Sequence, residues 1–388
     1  MKAAVFLYPW DVVGDPGAPA RIAALGVRQV TLAAAYHSTR ALTPRHPRHR
    51  IVTAAHAAVL YPPGERWQGR EPRPYAAGDW APGDAYGEAA RALRAAGLDV
   101  HSWVVLAHNS RLGEEHPATS VVNAYGDRYP WAPCIAQPAT RAYLVDLAAE
   151  AAVRPDTGGT ELESCGWYGL AHLHAHDKTS GITLGEAGQY LMSLCFCASC
   201  RQGYAGAGPD PDGLAAAVRD ALEPLWRGRA QDTGWAAVER LLGVERAAAT
   251  RAWREETART LQEAAIGAVR AAAPPGFQVL LHADPVAYHC GANAGVDPAH
   301  ILGVADGVVV PCTGGAGALT PFVAHARDAT VLAANLTVVG GMGGSPATLA
   351  ADAARAAEQG STELRLYHAG LASDADLAHV ARALSGQE

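Results

Sequence analysis

The chain has 388 residues, 49% of them hydrophobic and 18% charged, with a formal net charge of −7. That length and apolar content suffice for a large buried core, and the mild acidic balance argues against nucleic acid as the main partner. No stretch reaches the roughly 18 uninterrupted apolar residues of a membrane span.

From the start of the chain, short apolar runs alternate with Ala-rich amphipathic segments. Eight runs read as strands: Ala4-Val-Phe-Leu-Tyr8, Gln29–Ala33, Val100–Leu106, Thr160–Glu163, Gln278–His282, Gly307-Val-Val-Val310, Thr330–Ala334 and Glu363–Tyr367. The first of these is too short for a signal peptide and no cleavage site follows it, so the expected location is cytoplasmic. Helical segments follow at Ala18–Leu25, Tyr86–Ala96, Arg141–Val153, Leu214–Ala272, Pro298–Leu302, Pro321–Arg327, Pro346–Glu358 and Asp374–Ala383. Eight such units predict an α/β fold, a (β/α)8 TIM barrel of one domain over residues 1–388. The rival, an open doubly wound sheet, would carry a Gly-rich phosphate turn after the first strand, and Tyr8-Pro-Trp-Asp11 is not one.

Three excursions interrupt the pattern, at 38–82, 110–138 and 164–213. Each follows a strand, which places it on the rim where barrel active sites lie. The stretch 214–272 is too long for one barrel helix and reads as a helical hairpin, giving an insertion at about 164–272.

Side chains alternate along a strand, so Glu161 and Glu163 share one face of the fourth strand. With that face inward, Glu163 lies at the mouth and Glu161 one layer deeper. A buried carboxyl there has its pKa raised and can act as general acid; the competing reading is an ion-pair partner. On the fifth strand His282 and Asp284 share a face, and Asp284 is the second candidate carboxylate. Its competing role is to cap the turn before Pro285. Other strand ends offer Asp11, Tyr36, His37, His108, Asn109, Asn335 and His368, with Trp167, His174 and His176 in the loop after strand four. These groups suit a hydroxyl-rich ligand. Strand seven, which ends near Asn335, carries no carboxylate, and this counts against the simplest retaining mechanism.

Two clusters point to metal. Cys195, Cys197 and Cys200 offer three thiols within six residues, a pattern for structural zinc, with Cys165 as the expected fourth ligand and Cys290 or His289 as alternatives. His172, His174 and His176 alternate, and could hold a catalytic ion together with Glu163 or Asp284.

Several motifs, in order, carry a resemblance: Tyr8-Pro-Trp-Asp11, His108-Asn109, Asn123-Ala-Tyr-Gly-Asp127, Pro133-Cys134, Pro138-Ala-Thr-Arg141-Ala-Tyr143, Glu161-Leu-Glu163, Leu194 to Cys200, and Tyr367-His-Ala-Gly370. Together they resemble the glycoside-hydrolase-like barrel proteins of bacteria over nearly the whole chain. One departure is Ala-Pro-Cys-Ile where that group has a Cys-Pro pair. The resemblance implies a sugar-related activity. The leading expectation is therefore a carbohydrate-active enzyme that takes a small glycoside and works through Glu163 and Asp284, with no organic cofactor. A metal-dependent hydrolase, lyase or isomerase using the His cluster is the second expectation. A sugar-binding barrel without turnover is the third.

Overall fold

A computed structural model describes residues 1–171, 177–229 and 233–386. Eight parallel strands close on themselves: β1 (Lys2–Leu7), β2 (Gln29–Tyr36), β3 (Asp99–Val105), β4 (Gly159–Glu163), β5 (Gln278–Asp284), β6 (Gly307–Pro311), β7 (Val331–Thr337) and β8 (Glu363–Tyr367). Each pairs with the next, and β1 also pairs with β8, with Lys2 opposite Glu363 and Val5 opposite Leu366. Closure removes both sheet edges, and the strands are buried nearly throughout because helices cover their outer faces.

The helices are α1 (Ala18–Ala23), α2 (Ala85–Ala95), α3 (Pro138–Ala152), α4 (Gly185–Met192), α5 (Ala198–Gly206), α6 (Pro211–Trp226), α7 (Trp235–Leu242), α8 (Val244–Ala272), α9 (Pro298–Val304), α10 (Thr320–Val323), α11 (Leu349–Glu358) and α12 (Asp374–Ser385). The region expected to form one hairpin is three helices, α6, α7 and α8. Gly243, at φ 81°, breaks the chain between the last two. A positive φ is cheap only for glycine. The helix expected over 321–327 shrinks to the four residues of α10. None of these helices is long and apolar enough to cross a membrane.

The excursion after β2 forms an antiparallel ribbon, Thr39–Leu42 with Ile51–Ala54, and then adds Ala58–Val59 to the upper end of β2. The one after β3 holds a short helix, Ser110–Glu115, and a second ribbon, Ser120–Val122 with Arg128–Pro133. Strand approach is tight at Gly159, where a Cβ would come within 2.5 Å of the His101 ring and 2.8 Å of the Gln278 carbonyl.

Candidate active site

The barrel interior is polar and aromatic where β4 enters it. Glu161 is fully buried, and its Oε1 accepts from Arg365 Nε of β8 at 2.6 Å and from Thr31 Oγ1 of β2 at 3.0 Å. His101 and His282 approach the same carboxylate at 3.7 and 3.5 Å. Burial alone would raise this carboxyl, but the Arg365 guanidinium and the two imidazoles outweigh it and hold Glu161 well below the usual carboxylate range. Its surroundings are those of a permanent anion that neutralises a buried arginine. Removing Glu161 leaves the buried Arg365 with, among the described residues, only Glu363, at 2.8 Å, to balance it. Glu161→Ala is therefore expected to cost about 3 kcal/mol of unfolding free energy, the low end for a broken buried pair, read by denaturant titration.

Glu163, two residues on, is in a different situation. It has lost most of its water and, among the described residues, has no cationic partner of Arg365's kind. Trp103 Nε1 donates to its Oε2 at 2.7 Å, and His282 Nδ1 lies 4.0 Å away. Burial pushes its pKa up, and His282 and the Trp103 indole only partly offset that. The chain then turns sharply, since Ser164 adopts φ 54°, a left-handed conformation unusual outside glycine. Strain of this kind gathers at functional sites.

Around Glu163 stands a wall of rings. Phe6, Trp103 and Tyr367 contact one another at centroid distances of 4.8–6.1 Å. The Tyr8 hydroxyl donates to that of Tyr36 at 3.1 Å, and Tyr8 stacks on His368 at 4.3 Å and on Trp10 at 4.5 Å. His368 Nδ1 accepts from the Gly370 N–H at 3.1 Å, so in the neutral ring the proton sits on Nε2. Burial, with Arg45 adding to it, pushes this imidazole down to about 3. His37 stacks on Tyr36 at 4.2 Å and meets His108 at 4.9 Å, while His108 stacks on Tyr168 at 4.2 Å.

The chain folds like known carbohydrate enzymes. The alpha-L-fucosidase isoenzyme 2 from Paenibacillus thiaminolyticus superposes with a TM-score of 0.59 at 12% identity, over 100% of this chain and 49% of that one. The catalytic domain of beta-amylase from Paenibacillus polymyxa gives 0.55 at 12% identity, over 100% and 98%. The PgaB (BpsB) glycoside hydrolase domain from Bordetella bronchiseptica gives 0.52 at 14% identity, over 99% and 97%. This chain thus spans about half of the fucosidase but nearly all of the other two domains. No family model matches the sequence, and no curated protein matches it. At these identities what is shared is the fold, a glycoside-hydrolase-like (β/α)8 barrel.

Not every expected residue joins the wall. Asp284 Oδ1 accepts from the Val286 N–H at 2.8 Å and Oδ2 lies 2.9 Å from His289 Nδ1, so the carboxylate holds its own loop. Asn109 caps the short helix by accepting from the Leu112 N–H at 3.0 Å. The Trp167 indole donates to the Arg254 carbonyl at 2.9 Å, which ties it to α8. Asn335, on β7, has a buried Oδ1 without a hydrogen-bond partner. His172, His174 and His176 lie outside the described residues.

Asp11 ends the turn after β1. The Tyr8 N–H donates to its Oδ2 at 2.8 Å, and Gly370 approaches so closely that a Cβ there would overlap the carboxylate. Burial raises its pKa to about 7, against the pull of the Tyr8 N–H and Arg45. The folded state therefore holds a proton that the unfolded chain has released, and stability falls as pH rises from about 4 to 7. Relative to Asp11→Asn, the wild type should lose about 2–4 kcal/mol across that window, read as diverging melting temperatures.

The thiols form a separate centre under the rim. Sγ atoms of Cys134, Cys195, Cys197 and Cys200 lie within 4.8 Å of one another, all buried. Cys134 Sγ is 3.6 Å from both Cys197 and Cys200. This geometry suits a metal ion, and it corrects the expected ligand set: the fourth thiol is Cys134, not Cys165. Cys165 follows the end of β4 and is turned beneath α8, where its carbonyl accepts from Gln262 at 3.2 Å. The ribbon after β3 delivers Cys134 beside the amino end of α5. Its position after Pro133, in a segment already singled out, was the available signal. Arg365 and the rings of Tyr8 and Trp103 were also missed as site residues, although their inward alternation was readable.

Proposed function

We propose that this protein is a glycosidase whose general acid is Glu163. The observation that carries the reading is the contrast between two glutamates on one strand face. Glu161 is held ionised by Arg365, while Glu163, at the carboxyl end of β4, has its pKa raised by burial among aromatic rings. Environments that push two acids apart in this way mark their roles. A protonated Glu163 can give its proton to a glycosidic oxygen. Stacked rings suit sugar faces, and the neutral His368 and the tyrosine hydroxyls suit sugar hydroxyls.

Asp284 is the proposed second carboxylate. The β4–β5 register sets Leu162 beside Leu281, so His282 is level with Glu163 and Asp284 lies two residues, about 6.6 Å of strand rise, nearer the rim. The substrate proposed is a small glycoside, hydrolysed inside the cell. Glu163→Gln should sharply lower turnover of glycosides whose leaving oxygen needs a proton, and a fully active variant would overturn the assignment. A second reading, binding without turnover, is favoured by the absence of an acid at Asn335 and by the ties on Asp284. It would show as saturable sugar binding with no hydrolysis of any glycoside tried.

The four-thiol centre is proposed to hold zinc as a structural ion. Tetrahedral ligands at about 2.3 Å from zinc stand about 3.8 Å apart, close to the 3.6 Å found here and far from a disulfide. Cys134, Cys195, Cys197 and Cys200 would hold the ion, which leaves no open position for chemistry.

A further inference from the structure

We infer that His282 keeps Glu163 a strong enough acid: wedged between the two glutamates of β4, its protonated ring supplies the positive charge that opposes burial. The inference rests on the glycosidase reading and adds to it the residue that sets the working pH. His282 acts through Glu163 and is in that sense a positioning residue.

Its placement follows from the strands. Leu162 of β4 pairs with Leu281 of β5, so His282 is level with Glu163. The ring is buried and has a carboxylate at each nitrogen. Nε2 lies 3.5 Å from Glu161 Oε2, and Nδ1 lies 4.0 Å from Glu163 Oε2. Phe6 and Trp103 flank the imidazole at centroid distances of 5.8 and 6.5 Å, and the indole is nearly parallel to it. Packing therefore holds the plane of the ring.

Nε2 and Glu161 Oε2 are both buried and, among the described residues, have no hydrogen-bond partner. A ring proton on Nε2 faces this permanent anion. A neutral imidazole would then turn the Nδ1 lone pair toward an ionised Glu163, which is repulsive. A second ring proton makes both contacts attractive. Two flanking carboxylates favour the imidazolium, and the imidazolium in turn favours the ionised form of Glu163.

Other neighbours do not supply this charge. Arg365 and His101 approach Glu161 at its other oxygen, at 2.6 and 3.7 Å. Around Glu163 stand the hydroxyls of Tyr36, Tyr168 and Tyr367 and the Trp103 indole, all uncharged near neutral pH. Asp284, two residues along β5, is turned to His289. Burial alone would carry Glu163 further up, against the pull of His282. A weaker acid is a poorer proton donor.

The test follows the infrared band of the protonated Glu163 carboxyl, identified by its loss in Glu163→Gln, as pH is raised on the whole chain. In His282→Gln the midpoint for losing this band should rise by about one pH unit or more, the usual effect of removing an opposite charge at about 4–6 Å. The alkaline limb of the pH–rate profile should move with it. An unmoved or lowered midpoint would overturn the inference. If His282→Gln does not fold, linkage reads the same coupling from the other partner. In Glu163→Gln the His282 ring, followed by NMR, should lose its proton about one pH unit or more below wild type, and equal midpoints would count against the inference. Neither titration needs turnover. A fully active Glu163→Gln defeats the acid assignment and leaves the coupling readable, whereas an enzyme that needs Glu163 but whose carboxyl band ignores His282 defeats only the role of His282.

Discussion

Glu163→Gln lowers kcat/KM on hydrolysable glycosides by about 10²–10⁴-fold, the usual share of a general acid, and leaves the melting temperature within a few degrees of wild type. The amide is nearly isosteric and can still accept from the Trp103 indole, so the hydrogen bond at 2.7 Å survives while the proton is lost. Because the raised carboxyl acts in its protonated form, wild-type turnover falls as pH climbs through that raised pKa. In the variant this alkaline limb disappears. Glycosides with acidic phenol leaving groups need little protonation, so they lose least in the variant, and a pH–rate series on one such substrate and one with a poor leaving group checks the assignment. Equal losses on good and poor leaving groups would show that Glu163 does something other than donate a proton.

Removal of the thiol centre has the largest expected effect on stability. Purified protein should contain one zinc per chain, and Cys200→Ser should lose it, with a fall in melting temperature of about 10 °C or more. Structural zinc supplies folding free energy directly, about 10–16 kcal/mol in small zinc peptides, and a part of this suffices in a chain of 388 residues. The centre joins the ribbon after β3 to the start of α5, so it clamps two excursions together. Burial raises the Cys134 thiol, whereas hydrogen bonds from Cys134, Cys195 and Cys200 pull Cys197 far below the ordinary thiol range. Cys165→Ser, by contrast, should keep its zinc. Elemental analysis of both variants separates the two sulfurs, and zinc retained in Cys200→Ser would rule the centre out.

The barrel was legible because its signal is local. Each strand is a short apolar run followed by an amphipathic segment, and all eight runs stand within a few residues of their expected places. The alternation that put Glu161 and Glu163 on one face is equally local, since a strand has a period of two. Cys195, Cys197 and Cys200 announced a thiol cluster fit for a metal ion through spacing alone.

Partners are a different matter, because they come from strands far apart in sequence. Nothing near Glu161 foretells Arg365, which is 204 residues away and makes one glutamate an ion-pair member while burial raises the pKa of its neighbour two residues on. Cys134, more than 60 residues before Cys197, reaches the thiols only because a ribbon folds back over the rim. Asp284 looked like a catalytic acid by its register, and only the loop that returns His289 to it showed what else holds it. Periodicity and composition decide which residues turn inward. Barrel closure decides which of them meet, and hence their charge, because pKa depends on neighbours and burial.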